Sequence, residues 1–170
     1  SNGQETKVTH GLGVKPDFLI IKDSDSASNW IVTRGINNDE HTILNSTAAS
    51  SGSLFTGNHN NSDSTHFVVG NEGAVNANGN EFIAYCFADV QGYSKFGGSY
   101  TGNGNVDGTF VWTGQKSAFI MIKAATRVGT WNMYDVKRST FNNIDDFITA
   151  NTPDAETTGN TYQNIDILSN

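Results

Sequence analysis

Phe18-Leu19-Ile20-Ile21-Lys22 and Phe119-Ile120-Met121-Ile122-Lys123 are two versions of one apolar phrase, and eight residues after each lysine stands a tryptophan, Trp30 and Trp131. Every one of these pairs is separated by 101 positions, and the same spacing carries Asn2-Gly3 onto Asn103-Gly104 and Gly13 onto Gly114. A run of about five apolar residues is too short for a helix and is the expected length of a strand. The chain therefore reads as two copies of one β-rich unit, and a repeat of this kind organises everything else in the sequence.

Further along, the spacing widens. Asn45-Ser46-Thr47-Ala48-Ala49 aligns with Asn151-Thr152-Pro153-Asp154-Ala155 at 106, which places an insertion of five residues near 139–146, in a connection where loops tolerate length changes. Continued at that spacing, Asn170 meets Ser64, so the counterparts of His66-Phe67-Val68-Val69 and of residues 82–89 are not reached. The first unit, 1–101, reads as complete and the second, 102–170, as truncated. One domain is expected over 1–170, because the second unit lacks its closing strands.

Strand-like runs fall at 6–9, 17–22, 30–34, 42–45, 66–70, 81–89, 94–101, 109–113, 118–123, 131–134 and 164–168. They are short, rich in β-branched and aromatic residues, and bounded by Gly, Asn, Asp and Ser. Residues 81–89 are apolar on both faces, with Phe82, Ala84, Cys86 and Ala88 on one side and Ile83, Tyr85 and Phe87 on the other, which predicts a central strand covered twice. The Asn78-Gly79 pair ahead of it is hairpin chemistry, so 68–87 reads as one hairpin. Only 139–150, with Phe141, Ile144, Phe147 and Ile148, could form a short helix. Intervening segments are too short for crossover helices, so the fold class is all-β: an antiparallel β-sandwich, jelly-roll or lectin-like, with an internal pseudo-repeat and little or no helix.

Ten Lys and Arg against 17 Asp and Glu give a net charge of −7 in 170 residues. With a pI near 4.8 this argues against wrapping a phosphate backbone or an anionic membrane. The lone Cys86, inside an apolar run, allows no intrachain disulfide and reads as a small core residue. The N-terminal Ser1-Asn2-Gly3-Gln4 has no signal-peptide pattern and no apolar run is long enough to span a bilayer, so no membrane insertion is expected.

Catalytic and metal patterns are weak. No Gly-x-Ser-x-Gly elbow occurs, and His10, His41, His59 and His66 are scattered, with His59, Asp63 and His66 the nearest approach to a ligand set. Asp23, Asp25 and Asn29 have a faint calcium-loop rhythm without the central Gly or the bidentate Glu, and read as a hairpin turn. Glu40, Glu72, Glu81, Asp145 and Asp146 are the carboxylates from which an acid pair could be drawn, but nothing in the sequence fixes a separation between any two. No catalytic residue, metal or cofactor is expected. Trp30 and Trp131, repeated at equivalent positions, read as packing residues; Trp112 has no counterpart and is the freer candidate for stacking on a sugar.

With these residues in place, the sequence resembles a family of repeat-bearing domains in tail-fibre and other virion-associated proteins of marine and cyanobacterial phages. The blocks that carry the likeness are residues 10–17 leading into 18–22, then 44–49, 83–88, 92–97, 99–104 and 118–123, with Trp131 and residues 134–138. The resemblance implies a particle component, present in the virion and made in the host cytoplasm, and supplies no catalytic residues.

The expectation is a non-enzymatic, tail-fibre-like module of a bacteriophage virion, serving host-surface adhesion or particle decoration. Its partners would be other virion proteins or a host-surface glycan or receptor, without nucleic acid, and a homotrimer would suit a fibre. One rival is a carbohydrate-binding, lectin-like domain whose contact loop is Asn58, His59, Asn60, Asn61 and Asp63. The other is a polysaccharide depolymerase.

Overall fold

The computed structural model describes residues 6–34, 40–52, 61–96 and 98–168. Along the chain run β1 (Thr6–Thr9), β2 (Phe18–Asp23), β3 (Ile31–Arg34), β4 (Thr42–Ile43), β5 (His66–Val69), a single turn α1 (Gly73–Asn76), β6 (Phe82–Phe87), β7 (Phe119–Lys123), β8 (Trp131–Asp135) and β9 (Ile148–Thr149). The described architecture is nearly all β, in three antiparallel sheets ordered β1-β5, β4-β3-β2-β6 and β7-β8-β9. Among the described residues no helix is long and apolar enough to cross a membrane.

In the first unit β2 alternates, burying Leu19 and Ile21 at 0% and 1% exposure while Phe18, Ile20 and Lys22 face the other way. Leu19, Ile21 and Ile31 of the larger sheet meet Phe67 and Val69 of β5 and Val75 of α1 in one core, with Val8, Ile43, Phe82, Ala84 and Cys86 packed at its margin. The result is two layers, sandwich-like, sharing a single apolar filling. Complete burial of a Leu or Ile side chain is worth about 1.5–3 kcal/mol, so these few side chains account for much of the drive to close the layers.

The second unit repeats β2, β3 and β4 of the first as β7, β8 and β9. Phe18 faces Arg34 in the β2–β3 pair and Phe119 faces Asp135 in the β7–β8 pair, so each partner moves by 101. Ile43 opposite Ile31 becomes Thr149 opposite Asn132 with the β7–β8 register kept, so β9 is β4 moved by 106. The short bridge His41–Ser51 likewise becomes Phe147–Thr157. The five extra residues therefore lie between Asp135 and Phe147, in a connection containing Ile144, which is buried and bridged to Ile165. Tyr134, Ile144, Phe147 and Ile167 make the second core.

The two units dock through backbone. Ser50 donates its amide (2.7 Å) and its hydroxyl (2.8 Å) to Ala125 O, and Gly129 N donates to Thr47 O at 2.9 Å. The indole N–H of buried Trp131 reaches Ile43 O at 2.9 Å. Its counterpart Trp30 is half-buried and stacks on Tyr85, with ring centroids 6.3 Å apart.

Several local expectations are corrected. Residues 68–87 are not a hairpin: β5 pairs with β1 and β6 with β2, in different sheets, and α1 lies between them. Strand β6 is an edge strand rather than a central one, and Ile83 and Tyr85 on its outward face are exposed. Among the described residues of 94–101, 109–113 and 164–168 there is no strand; Ser94 and Ile165 make only isolated bridges. The segment 139–150 holds no helix and ends in β9. The unformed strands share one cause: a strand exists only where a partner backbone takes its hydrogen bonds.

Candidate functional site

The loop that follows β6 is built around Asp89. Its Oδ1 accepts from Phe96 N at 2.6 Å, its Oδ2 accepts from the Lys95 ammonium, and its own amide donates to Asp17 Oδ2 at 2.8 Å. Ser94 Oγ donates to Ala88 O at 2.9 Å, Val90 and Ser94 exchange backbone bonds, and Gly92 takes the left-handed conformation that the turn requires. Phe96 then folds back on Phe87 and Phe18, with centroids 5.1 and 5.7 Å away. The hydrogen bond and charge of Asp89 push the Lys95 ammonium up.

Opposite this loop lies the segment that joins the units. Gln115 Nε2 donates to Tyr93 O at 3.0 Å, and Gly114 at φ +75° bends the chain so that Trp112 stands beside the loop. Between them is a cleft of about 300 Å³ lined by Asp89, Gln91, Ser94, Lys95, Trp112 and Thr113, with Val90 and the glycines 92 and 114 completing it. Trp112 is 65% exposed, and Tyr93 of the loop and Phe110, two residues before Trp112, are exposed as well. One flat aromatic face next to an amide, a hydroxyl and an ammonium can stack on an apolar ring face and hydrogen-bond its polar rim. Asp89 is the one carboxylate among the described lining residues, and its oxygens are already engaged.

The sequence-nominated loop behaves differently. Asn58, His59 and Asn60 lie outside the described residues, while Asn61 and Asp63 precede β5. Asp63 Oδ1 accepts from Thr65 N and Thr65 Oγ1, each at 2.7 Å, and from His66 N at 2.8 Å. The Thr65 hydroxyl foremost, then the Thr65 and His66 amides, hold its carboxyl well below the usual carboxylate range. This carboxylate fastens its own turn. Asp23 does the same, taking Ser26 Oγ at 2.7 Å, Asn80 Nδ2 at 2.8 Å and Asp25 N at 2.9 Å, so the faint calcium rhythm is a closed turn.

The remaining carboxylates are dispersed. Glu40 pairs with Arg34 at 4.0 Å, Glu72 begins α1, Glu81 leads into β6, and Asp145 and Asp146 sit in the second unit, where Asp146 Oδ1 accepts from Gly159 N at 3.0 Å. Among the described residues no group of three or more His, Cys, Asp or Glu is placed to hold a metal. Cys86 is a free, half-buried thiol that burial pushes up. Of the cleft residues, sequence reasoning had singled out Trp112 alone. Asp89 and Lys95, opposite charges six positions apart across a glycine-containing loop, were the signal that could have extended it.

A family model described as "Domain of unknown function (DUF7483)" matches residues 1–170, and the chain belongs to that family. No curated protein and no solved structure matches it.

Proposed function

We propose that this DUF7483 domain is a non-enzymatic module of a bacteriophage particle, tail-fibre-like in kind, that adheres to the host surface through the aromatic cleft between its two units. The observation that carries the reading is the exposed Trp112 lining one cleft with Asp89, Gln91, Ser94 and Lys95. Large aromatic side chains are mostly buried, and one left exposed beside polar groups in a concave site is a candidate ligand contact. The −7 charge disfavours a phosphate-backbone partner, and the aromatic-plus-amide chemistry favours a neutral glycan. The particle assignment is supported by the resemblance of the repeat blocks to virion proteins.

The test is binding of the purified protein to a glycan array and to intact bacteria, with and without calcium, alongside Trp112→Ala. Binding by the wild type and a loss of tenfold or more in the variant, at unchanged melting temperature, is the expected result. No binding to any surface, or equal binding by the variant, removes the cleft as the adhesion site. Mass photometry giving only monomer at all concentrations would remove the homotrimer that suits a fibre.

A further inference from the structure

We infer that the outer edge of β7 is an acceptor for one more β-strand, of the β6 pattern, supplied by a further repeat unit. In the first unit β2 has two partners, β3 and β6, whereas in the second its counterpart β7 pairs with β8 alone among the described residues. The shared register makes the two situations comparable residue by residue. Val136 N donates to Ala118 O, so antiparallel alternation directs Ile120 and Ile122 toward β8 and leaves the amides and carbonyls of Phe119, Met121 and Lys123 on the other edge. Their counterparts Phe18, Ile20 and Lys22 face Phe87, Tyr85 and Ile83 of β6.

Side chains on the same strand repeat the message. Leu19 and Ile21 are sealed, whereas Ile120 and Ile122, which point into the second core, are only half-buried, and Phe119 is 58% exposed. Among the described residues the second layer is missing too: β1 maps onto residues 107–110, which form no strand and carry exposed Phe110. An occupant that restored both would resemble residues 66–87, one strand alongside 107–110 and another alongside β7. The chain's own β6 cannot serve with the same edge, because that edge is bonded to β2. Pairing through its opposite edge would set Met121 on the face of Ala84, turning the two cores to opposite sides of the sheet. A segment from a further repeat unit, added by strand augmentation, keeps both cores on one side.

The probe is a reduced synthetic peptide of residues 66–89, added to the 170-residue protein and followed by amide hydrogen exchange and native mass spectrometry. In the protein alone the amides of Phe119, Met121 and Lys123 should exchange at least about tenfold faster than those of Phe18, Ile20 and Lys22. With peptide they should slow by about tenfold or more in a one-to-one complex, and residues 107–110 should gain protection. A scrambled peptide, a peptide N-methylated at Tyr85, or a Met121→Pro protein of normal melting temperature should each show neither effect. No protection by the native peptide overturns the inference, as does equal protection by the scrambled one. Concentration-dependent protection of β7 without peptide, with a dimer mass, overturns it in favour of a second copy. None of these readouts involves Trp112, so failure here and failure of the adhesion reading are separable.

Discussion

The first and second units present the same strand in two surroundings. β2 and β7 share their pattern and register against the following strand, and their tryptophan amides, Trp30 N and Trp131 N, are both held by an asparagine side chain, Asn45 Oδ1 at 3.0 Å and Asn151 Oδ1 at 2.7 Å. Yet Leu19 and Ile21 are sealed while Ile120 and Ile122 are half-buried. Local sequence decides that a strand forms and how it registers with its neighbour. Burial is decided elsewhere, by whether β5, β6 and α1 or their equivalents lie over it. The two halves thus separate conformational preference from core formation, which are usually confounded.

The largest expected effect tests that separation directly. Leu19→Ala should cost about 3 kcal/mol, as for a fully buried aliphatic side chain, and Ile120→Ala at the matching position about 1 kcal/mol, because a half-buried side chain has less to lose and its site can relax. Urea titrations of both variants check this, and equal losses would mean that the second core is as closed as the first.

Next in size is a matched pair in which the halves should agree. Gly13 and Gly114 occupy φ +76° and +75°, and a Cβ would meet nothing closer than Trp112 Nε1 at 3.9 Å, at Gly114. Alanine at either position should therefore cost about 1 kcal/mol from left-handed strain alone. A difference of more than about 1 kcal/mol in thermal unfolding would show that one turn is not what its partner is. Smaller again is Trp131→Phe, which removes the indole bond to Ile43 O and should cost about 1 kcal/mol of docking between the units. Trp30→Phe, which keeps an aromatic ring on Tyr85, should cost a few tenths.

Much of the first unit was legible because alternation, β-branched residues and turn formers agreed there. Strands 6–9, 17–22, 30–34 and 66–70 overlap β1, β2, β3 and β5 almost residue for residue. What was not legible was pairing. Gly79 does have the left-handed φ of +87° that its Asn-Gly sequence predicts, but the strands on either side of it belong to different sheets, and no local pattern encodes which partner wins. The same blindness produced a strand at 109–113, where the residues have β propensity and no partner strand among the described residues. The cleft was half-readable: Trp112 stood out for lacking a counterpart, while the role of Asp89 depends on Phe96, Lys95 and Asp17 arriving together. Asp63 looked available in the sequence because the amides that occupy it belong to its own turn.

The smallest expected effect is a pH dependence carried by one substitution between the halves. At the bridge preceding β4 the first unit has His41, 8% exposed, and at the equivalent bridge preceding β9 the second has Phe147, 4% exposed. His41 Nε2 lies 3.1 Å from Ser51 Oγ, and burial pushes the imidazole below its ordinary value, so folding favours the neutral ring. The unfolded chain then binds more protons than the folded one once the pH falls below about 6.5, and the stability fully present above that point is lost progressively toward the lower folded value. Asp23 and Asp63, whose carboxyls are held low by their turns, add a separate loss only below about pH 4. His41→Phe, which copies the second unit, should remove the upper of these two slopes and leave the lower intact. Melting temperatures of the two proteins at pH 8, 6 and 5 decide it: a gap that widens in the variant's favour on acidification is expected, and parallel curves would mean that the His41 environment accepts a charge that the matched Phe147 site could not.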